Sequence, residues 1–287
     1  MKGIILAGGR GSRLYPLTTA TCKQFLPIYD KPLIYYPLSV LMEAHIQDIL
    51  IISTREDSPR FQQLFGDGSH LGLNISYAVQ EKPEGIAQAF VIAESFIAGE
   101  SVALVLGDNL FYGHQLKDIL ADCHLLTEGA LIFGYHVADP WRYGVVDFND
   151  KLQVISIEEK PAHPKTSYAV TGLYFYDRDV VNIAKSLSPS PRGEFEITDV
   201  NLAYLQKGSL SLKILEKGIA WMDTGTHESF HKAANYVQNV QENQGVMVAC
   251  IEEIAYRMGY IDKQAFMKLI KEYPSSGYSS YLKKLEL

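Results

Sequence analysis

The sequence predicts a three-layer α/β fold: a mixed, mostly parallel sheet covered by helices, with an α-helical tail. Short apolar, β-branched runs alternate with helix-compatible segments through the first half, the order that builds a parallel sheet with helices on both faces. After residue 130 further strand-like runs crowd together, as they do when extra strands extend an existing sheet. Beyond residue 240 the apolar periodicity is helical, and no linker divides the chain. The expected organisation is one α/β domain over residues 1–240 and a helical extension over 241–287 packed on it.

Taken in order, strands are expected at residues 3–7, Asp48–Ser53, 75–79 and Val102–Leu106. Between them, Asp57-Ser58-Pro59 reads as a helix cap followed by a first-turn proline. Ile86, Ala89, Phe90, Ala93 and Ile97 share one face of a helix over residues 85–97. Strands follow at Ala130–His136, Gly144–Phe148, 154–157 and 169–176. Phe230, Ala233, Ala234, Val237 and Val240 mark a long amphipathic helix, and shorter ones are expected at Ile251–Arg257 and Lys263–Lys271. The Ser/Tyr/Gly-rich stretch 274–281 reads as a mobile terminus.

Composition narrows the function. The 287 residues are 47% hydrophobic, enough for a large core, yet the longest apolar runs fall far short of the roughly 20 residues that cross a bilayer. The N-terminus lacks the long apolar region of a signal peptide, so a cytoplasmic protein with no membrane partner is expected. Cys22, Cys123 and Cys250 are odd in number and scattered, the pattern of free thiols. A net charge of −7 opposes nucleic-acid binding but allows a small phosphorylated ligand in a local cationic pocket.

The chemistry-bearing motifs lie at strand ends. The first strand runs into Gly8-Gly9-Arg10-Gly11-Ser12-Arg13, a loop whose backbone N–H groups can approach an anion closely, with Arg13 and Lys23 adding positive charge. It is not a Walker A loop, and Leu14 stands where a dinucleotide fingerprint needs its last glycine. Asp108 and Asp223 each sit at a strand end beside glycine, where carboxylates face the ligand crevice, and a distant pair of this kind suits one magnesium ion arriving with a nucleotide. Lys160, ahead of Pro161, is expected on extended backbone as a phosphate anchor. His227-Glu228-Ser229-Phe230-His231 fits the zinc pattern H-E-x-x-H, with Glu252 or Glu253 as a possible third ligand, but its place after the Asp223-Thr224-Gly225 turn argues against a metalloprotease.

The segment from Gly8 through Thr18, with Lys23-Gln24 and the Leu26 to Pro32 block, closely resembles the signature of glucose-1-phosphate thymidylyltransferases. Blocks around Gly85, Asp108, Tyr143, Glu159-Lys160, Val170-Tyr174 and Asp223 follow in that family's order, so the resemblance spans nearly the whole chain. It implies a Rossmann-like nucleotide-diphospho-sugar transferase fold. It also implies a magnesium-dependent transfer of a deoxythymidylyl group from dTTP to glucose 1-phosphate, giving dTDP-glucose for dTDP-sugar synthesis of the rhamnose type. By the same resemblance Gly8, Gly11, Ser12 and Arg13 embrace the triphosphate, Lys23 neutralises charge near the reacting phosphorus, and Gln24, Gln80 and Gly85 surround the thymine. Tyr143, Gly144, Glu159, Lys160, Val170 and Tyr174 line the sugar pocket, Lys160 and Arg192 lie near the sugar phosphate, and Asp108 and Asp223 hold the metal.

The resemblance further implies a homo-oligomer, a tetramer, and a second nucleotide-sugar site at a subunit contact. Phe25, Trp141 and the 81–84 stretch depart from the family pattern, and the last of these lies between two expected base contacts. Two other readings stay open at this point: a uridylyltransferase on the same scaffold, and a nucleotide-sugar sensor without turnover.

Overall fold

The computed structural model describes residues 1–9 and 11–285 of the chain. The first half runs β1 (Lys2–Leu6), β2 (Pro27–Ile28), β3 (Lys31–Pro32), α1 (Tyr35–Glu43), β4 (Asp48–Ser53), α2 (Ser58–Phe65), β5 (Asn74–Val79), α3 (Gln88–Ile92), α4 (Glu94–Ile97) and β6 (Val102–Leu106). Next come β7 (Asn109–Tyr112), α5 (Leu116–Ala121), β8 (Ala130–His136), β9 (Gly144–Phe148), β10 (Val154–Glu159) and β11 (Tyr168–Tyr176). The chain closes with α6 (Val180–Ser186), α7 (Ile197–Gln206), β12 (Leu210–Ile214), β13 (Ala220–Asp223), α8 (His227–Gln244), α9 (Ile251–Arg257), α10 (Lys263–Lys271) and α11 (Gly277–Leu282).

β1 lies between β4 and β6 and parallel to both, and β5 continues the parallel set beside β4. Beyond β6 the sheet becomes mixed. β11 enters antiparallel to β6, β8 pairs antiparallel with β11, and β12 runs parallel to β8. The antiparallel pair β9 and β10 joins this edge where Val145 meets Ala169.

Strand period two sends neighbouring residues to opposite faces, so Ile4 and Ile5, both fully buried, begin two separate cores. Ile5, Ile51, Val105 and Phe175 pack beneath α1, α2 and the C-terminal helices, which contribute Ile251, Ala255, Phe266 and Leu282. Ile4, Ile52, Leu104 and Tyr176 pack beneath α3, α6 and α7, through Phe90, Val180 and Val200. Each such side chain contributes about 1.5–3 kcal/mol on burial. Burial on both faces explains why the inner strands read as unbroken apolar runs.

Three local expectations are corrected. The 85–97 helix starts only at Gln88, because the chain over 84–87 is pinned to Phe195 instead of coiling: Phe195 N donates to Glu84 O at 2.7 Å and Ala87 N donates to Phe195 O at 3.1 Å; it is then divided into two short helices at Ala93. The Asp57 carboxylate does not cap α2; it accepts a hydrogen bond from Thr54 Oγ1 at 2.8 Å. Residues 274–281 do not form a loose terminus. Ser276 and Ser279 form a reciprocal capping box at the start of α11, and Ser279 and Leu282 are buried.

Candidate active site

The site begins with a strand pair too short to read from sequence. β7 and β13 form a separate antiparallel ribbon whose register places Asn109 opposite Asp223. That pairing brings the two strand-end carboxylates together, and Thr224 fixes it by donating to Asp108 O from its amide at 3.0 Å and its hydroxyl at 2.8 Å. Lys23 forms an ion pair with Asp108 Oδ2. Asn109 Nδ2 donates to Asp108 Oδ1 at 3.0 Å, and Gly225 N donates to Asp223 Oδ1 at 2.9 Å.

The two carboxylates are electrostatically unequal. Burial alone would raise the Asp108 pKa, but the Lys23 ammonium, the Asn109 amide and Arg13 together hold it below the ordinary value. Asp223 is pushed up, first by burial and then by the neighbouring Asp108 charge, against the opposing pull of Lys23 and Arg13. A Cβ added at Gly225 would stand 2.6 Å from Arg13 Nη2 and 2.9 Å from Asp223 Oδ1, so only glycine lets the guanidinium and carboxylate close over that backbone.

A cavity of about 400 Å³ opens above this pair. On one flank it is lined by Arg13, Lys23, Gln24, Gln80 and Gly85, and on the other by Tyr143, Gly144, Glu159, Lys160, Val170 and Tyr174, with Asp108 and Asp223 between. Gly8, Gly11, Ser12 and Arg192 do not line it. Gly8 instead packs against Gln80, whose Oε1 would lie 2.2 Å from an added Cβ, and Gly11 has φ +61. Arg10, within the same glycine-rich loop, lies outside the described residues. Gly85 has φ +111 and a Cβ there would sit 2.4 Å from Phe195 O, which restricts the position to glycine twice over.

On the first flank Gln80 is buried and its Nε2 donates to Gln88 Oε1 at 2.6 Å. Gln24 is buried with an Oε1 that has no hydrogen-bond partner among the described residues. On the second flank Glu159 Oε2 accepts from Thr198 Oγ1 at 2.6 Å, while its Oε1 lies 3.3 Å from both Lys160 Nζ and Arg192 Nη2. Lys160 is not on extended backbone: its φ is +45, since the following proline disfavours the right-handed helical region without excluding the left-handed one. The strain at a non-glycine residue there, of order 1–3 kcal/mol, is met partly by Lys160 N donating to Tyr143 O at 3.0 Å. Arg192 Nη2 is held by Glu196 at 2.9 Å and Glu194 at 3.4 Å as well as by Glu159.

Sequence reasoning missed Asn109 and Trp221 as site residues. Asn109 Oδ1 accepts from Trp221 Nε1 at 2.6 Å and from Gly172 N at 3.1 Å, so one buried amide locks β7, β11 and β13 around the cavity. Trp221 stands two residues before Asp223 on a strand and so shares its face, a signal that period-two reasoning contains. The Tyr143 and Trp221 rings meet at 5.2 Å. Thr198, Ile86 and Arg142 were also missed, being unremarkable in sequence.

Two other groups fall outside the site's chemistry. The Cys22 thiol, beside Lys23 in sequence, is pushed up to about 12 chiefly by burial, so it is no nucleophile at neutral pH. In the His227–His231 stretch, Glu228 pairs with Lys232 at 2.6 Å and His231 Nε2 lies 3.1 Å from Asn235 Nδ2. No group of three His, Cys, Asp or Glu poised for a metal occurs among the described residues. A second cavity of about 280 Å³ lies between α1, α5 and α9, with Glu43, His114, Lys117, Glu253 and Arg257 in its wall.

A three-layer sheet with paired carboxylates at strand ends, flanked by cations on both sides of one cavity, defines a nucleotidyl transferase. The family model for nucleotidyl transferases matches residues 2–240. The chain is 55% identical over 285 residues to a glucose-1-phosphate thymidylyltransferase of Neisseria meningitidis, covering 99% of both. It is 53% identical to one of Mycobacterium tuberculosis, again covering 99% of both. A solved Bacillus anthracis structure described as a glucose-1-phosphate thymidylyltransferase in complex with sucrose superposes with a TM-score of 0.76 at 42% identity, over 82% of this chain and 94% of that one. A UDP-glucose pyrophosphorylase complexed with UDP-glucose superposes at 0.71 over 83% of this chain and 98% of that one, but at 24% identity it bears on the fold alone. The chain belongs to the glucose-1-phosphate thymidylyltransferase family and is a nucleotidyltransferase of Rossmann-like fold.

Proposed function

We propose that the protein transfers a deoxythymidylyl group from dTTP to glucose 1-phosphate, forming dTDP-glucose and releasing pyrophosphate. The observation that carries this reading is the side-by-side placement of Asp108 and Asp223 in one cavity, with Arg13 and Lys23 on one flank and Lys160 on the other. Two adjacent carboxylates make an oxygen-only donor set with surplus negative charge, evident in the raised proton affinity of Asp223, and this fits magnesium. When bound, the ion supplies neutralisation of phosphate charge.

The chain's own residues do the rest. A sugar phosphate oxygen is already anionic at neutral pH, so its attack on the α-phosphorus needs no general base; it needs repulsion removed and two substrates aligned. Arg13 and Lys23 neutralise the triphosphate and Lys160 serves the sugar phosphate, whereas Gly8, Gly11, Ser12 and Arg192, expected beside them, lie outside the cavity lining. Gln24, whose buried Oε1 lacks a partner, Gln80 and Gly85 present hydrogen-bonding groups to thymine. Tyr143, Gly144, Glu159, Val170 and Tyr174 receive the sugar, with Glu159 oriented by Thr198 as an acceptor for a hydroxyl.

The same reading places the enzyme at the first step of dTDP-sugar synthesis of the rhamnose type. It takes the chain as a catalytic unit over residues 1–240 with the helical extension 241–287, assembled as a homotetramer in the cytoplasm. The second cavity, with Lys117 and Arg257 in its wall, is the candidate place for a regulatory nucleotide sugar. No helix among the described residues is long and apolar enough to cross a membrane.

Pyrophosphate release from dTTP and from UTP, each with glucose 1-phosphate and magnesium, tests the reaction. A kcat/KM at least tenfold higher for dTTP is expected. Equal use of UTP would replace the thymidylyl assignment with a uridylyl one, and no release with either would end the two-substrate reading.

A further inference from the structure

We propose that Arg142 binds the phosphate of the sugar 1-phosphate, a role that rests on the two-substrate reading above. The cavity has two cationic flanks. On the nucleotide side Arg13 and Lys23 are engaged with the carboxylate pair. On the sugar side the guanidinium expected at the phosphate, that of Arg192, stands outside the cavity lining and is held by Glu159, Glu194 and Glu196. Arg142 lines the cavity beside Tyr143, Gly144 and Lys160.

Its placement is built, not incidental. A 3-10 turn, Pro140–Arg142, delivers it directly into β9: Arg142 N donates to Asp139 O at 3.3 Å and Tyr143 N to Pro140 O at 3.0 Å. Lys160 N then donates to Tyr143 O at 3.0 Å, which ties Lys160 to the residue that follows Arg142. The guanidinium lies 5.4 Å from the Tyr143 ring centre and within electrostatic reach of Asp223. Its Nη1 pairs with Asp139 Oδ2 at 2.7 Å, and both side chains are 35% exposed. A half-exposed pair of this kind is weak, and a phosphate carrying more charge and matching the guanidinium fork takes the arginine from it. Asp139 thus holds Arg142 until the phosphate takes it.

Arg142→Gln, Arg142→Lys and Asp139→Asn test this in steady-state assays run in both directions. Loss of the guanidinium is expected to raise the KM for glucose 1-phosphate about 10–100-fold, the range of one lost charge-assisted contact, with the KM for dTTP within about twofold. In the reverse direction the KM for pyrophosphate stays unchanged. Arg142→Lys recovers part of the loss, and Asp139→Asn leaves the KM for glucose 1-phosphate unchanged or lower. An unchanged sugar-phosphate KM in Arg142→Gln overturns the proposal while the reaction assignment stands. A raised pyrophosphate KM assigns Arg142 to the leaving group instead. An Asp139→Asn variant as impaired as Arg142→Gln reduces the arginine to a structural role. A wild type inactive with dTTP and glucose 1-phosphate removes both readings.

Discussion

The Lys23 ammonium is paired with the Asp108 carboxylate, joining the loop after β1 to the end of β6, and both groups are largely withdrawn from solvent. Lys23 offsets a carboxylate that burial would otherwise protonate, and under the proposed function it also presents a charge to the nucleotide. Lys23→Ala is expected to lower kcat about 10²–10³-fold, the scale for one removed electrostatic stabiliser of a transition state. Circular dichroism should show an intact fold. A kcat within threefold of wild type would show that Lys23 acts only on Asp108.

Asp223 carries an electrostatic cost that the proposed metal role would explain. Held beside Asp108 and buried, it resists ionisation, so the carboxylate pair is under mutual repulsion. Asp223→Asn removes that repulsion, and the variant is expected to melt above wild type in chelator. Wild type, by contrast, should gain melting temperature with added magnesium and the variant should gain almost none. Turnover of the variant should fall to near background. Equal magnesium-induced shifts in both proteins would remove Asp223 from the metal site.

Much of this architecture was legible in the sequence, and the gaps have physical causes. β4, β6 and β8 are placed to the residue because strands buried on both faces leave nearly unbroken apolar signatures. Asp108 and Asp223 stood out as strand-end carboxylates, but their adjacency depends on β7 and β13, four-residue strands whose pairing is set by tertiary structure. Asn109 gives no such signal, since an amide that locks three strands looks in sequence like a turn former. The 85–97 helix followed a true apolar periodicity, and its first turn was overridden by backbone bonds to Phe195, more than a hundred residues away.

The C-terminal extension is anchored through a buried carboxylate. Glu252 is 2% exposed and accepts from Tyr273 Oη at 2.6 Å and from Tyr278 Oη. The Tyr278 ring also lies 5.8 Å from buried Lys31, which bonds to Gln241 on α8 at 3.2 Å. Tyr278→Phe keeps the ring and removes one donor to a buried carboxyl group, so a stability loss of about 1–3 kcal/mol is expected by urea unfolding. Deleting residues from 274 onward should cost more, since it also uncovers the core that Leu282 fills. If Tyr278→Phe left the unfolding midpoint unchanged, the hydroxyl contact would not be what holds α11.

Glu43, at the end of α1 in the wall of the second cavity, gives the fold a pH dependence of known sign. Burial raises its carboxyl from 4.5 to about 7, with Lys117 opposing only in part. Its folded-state affinity for a proton therefore exceeds that of the unfolded chain, so this group's contribution to stability declines as pH rises from 4.5 toward 7. Above about pH 7 the folded protein carries a desolvated charge that the unfolded chain does not. Glu43 keeps some solvent access, which limits the effect to about 1–3 kcal/mol. Glu43→Gln removes the charge while keeping the shape, so it should stabilise the protein at pH 8 and leave it nearly unchanged at pH 5. Urea unfolding at the two pH values checks this. Equal shifts at both would mean that Glu43 ionises in the folded protein as it does in the unfolded chain, with the charge reaching water through the cavity mouth.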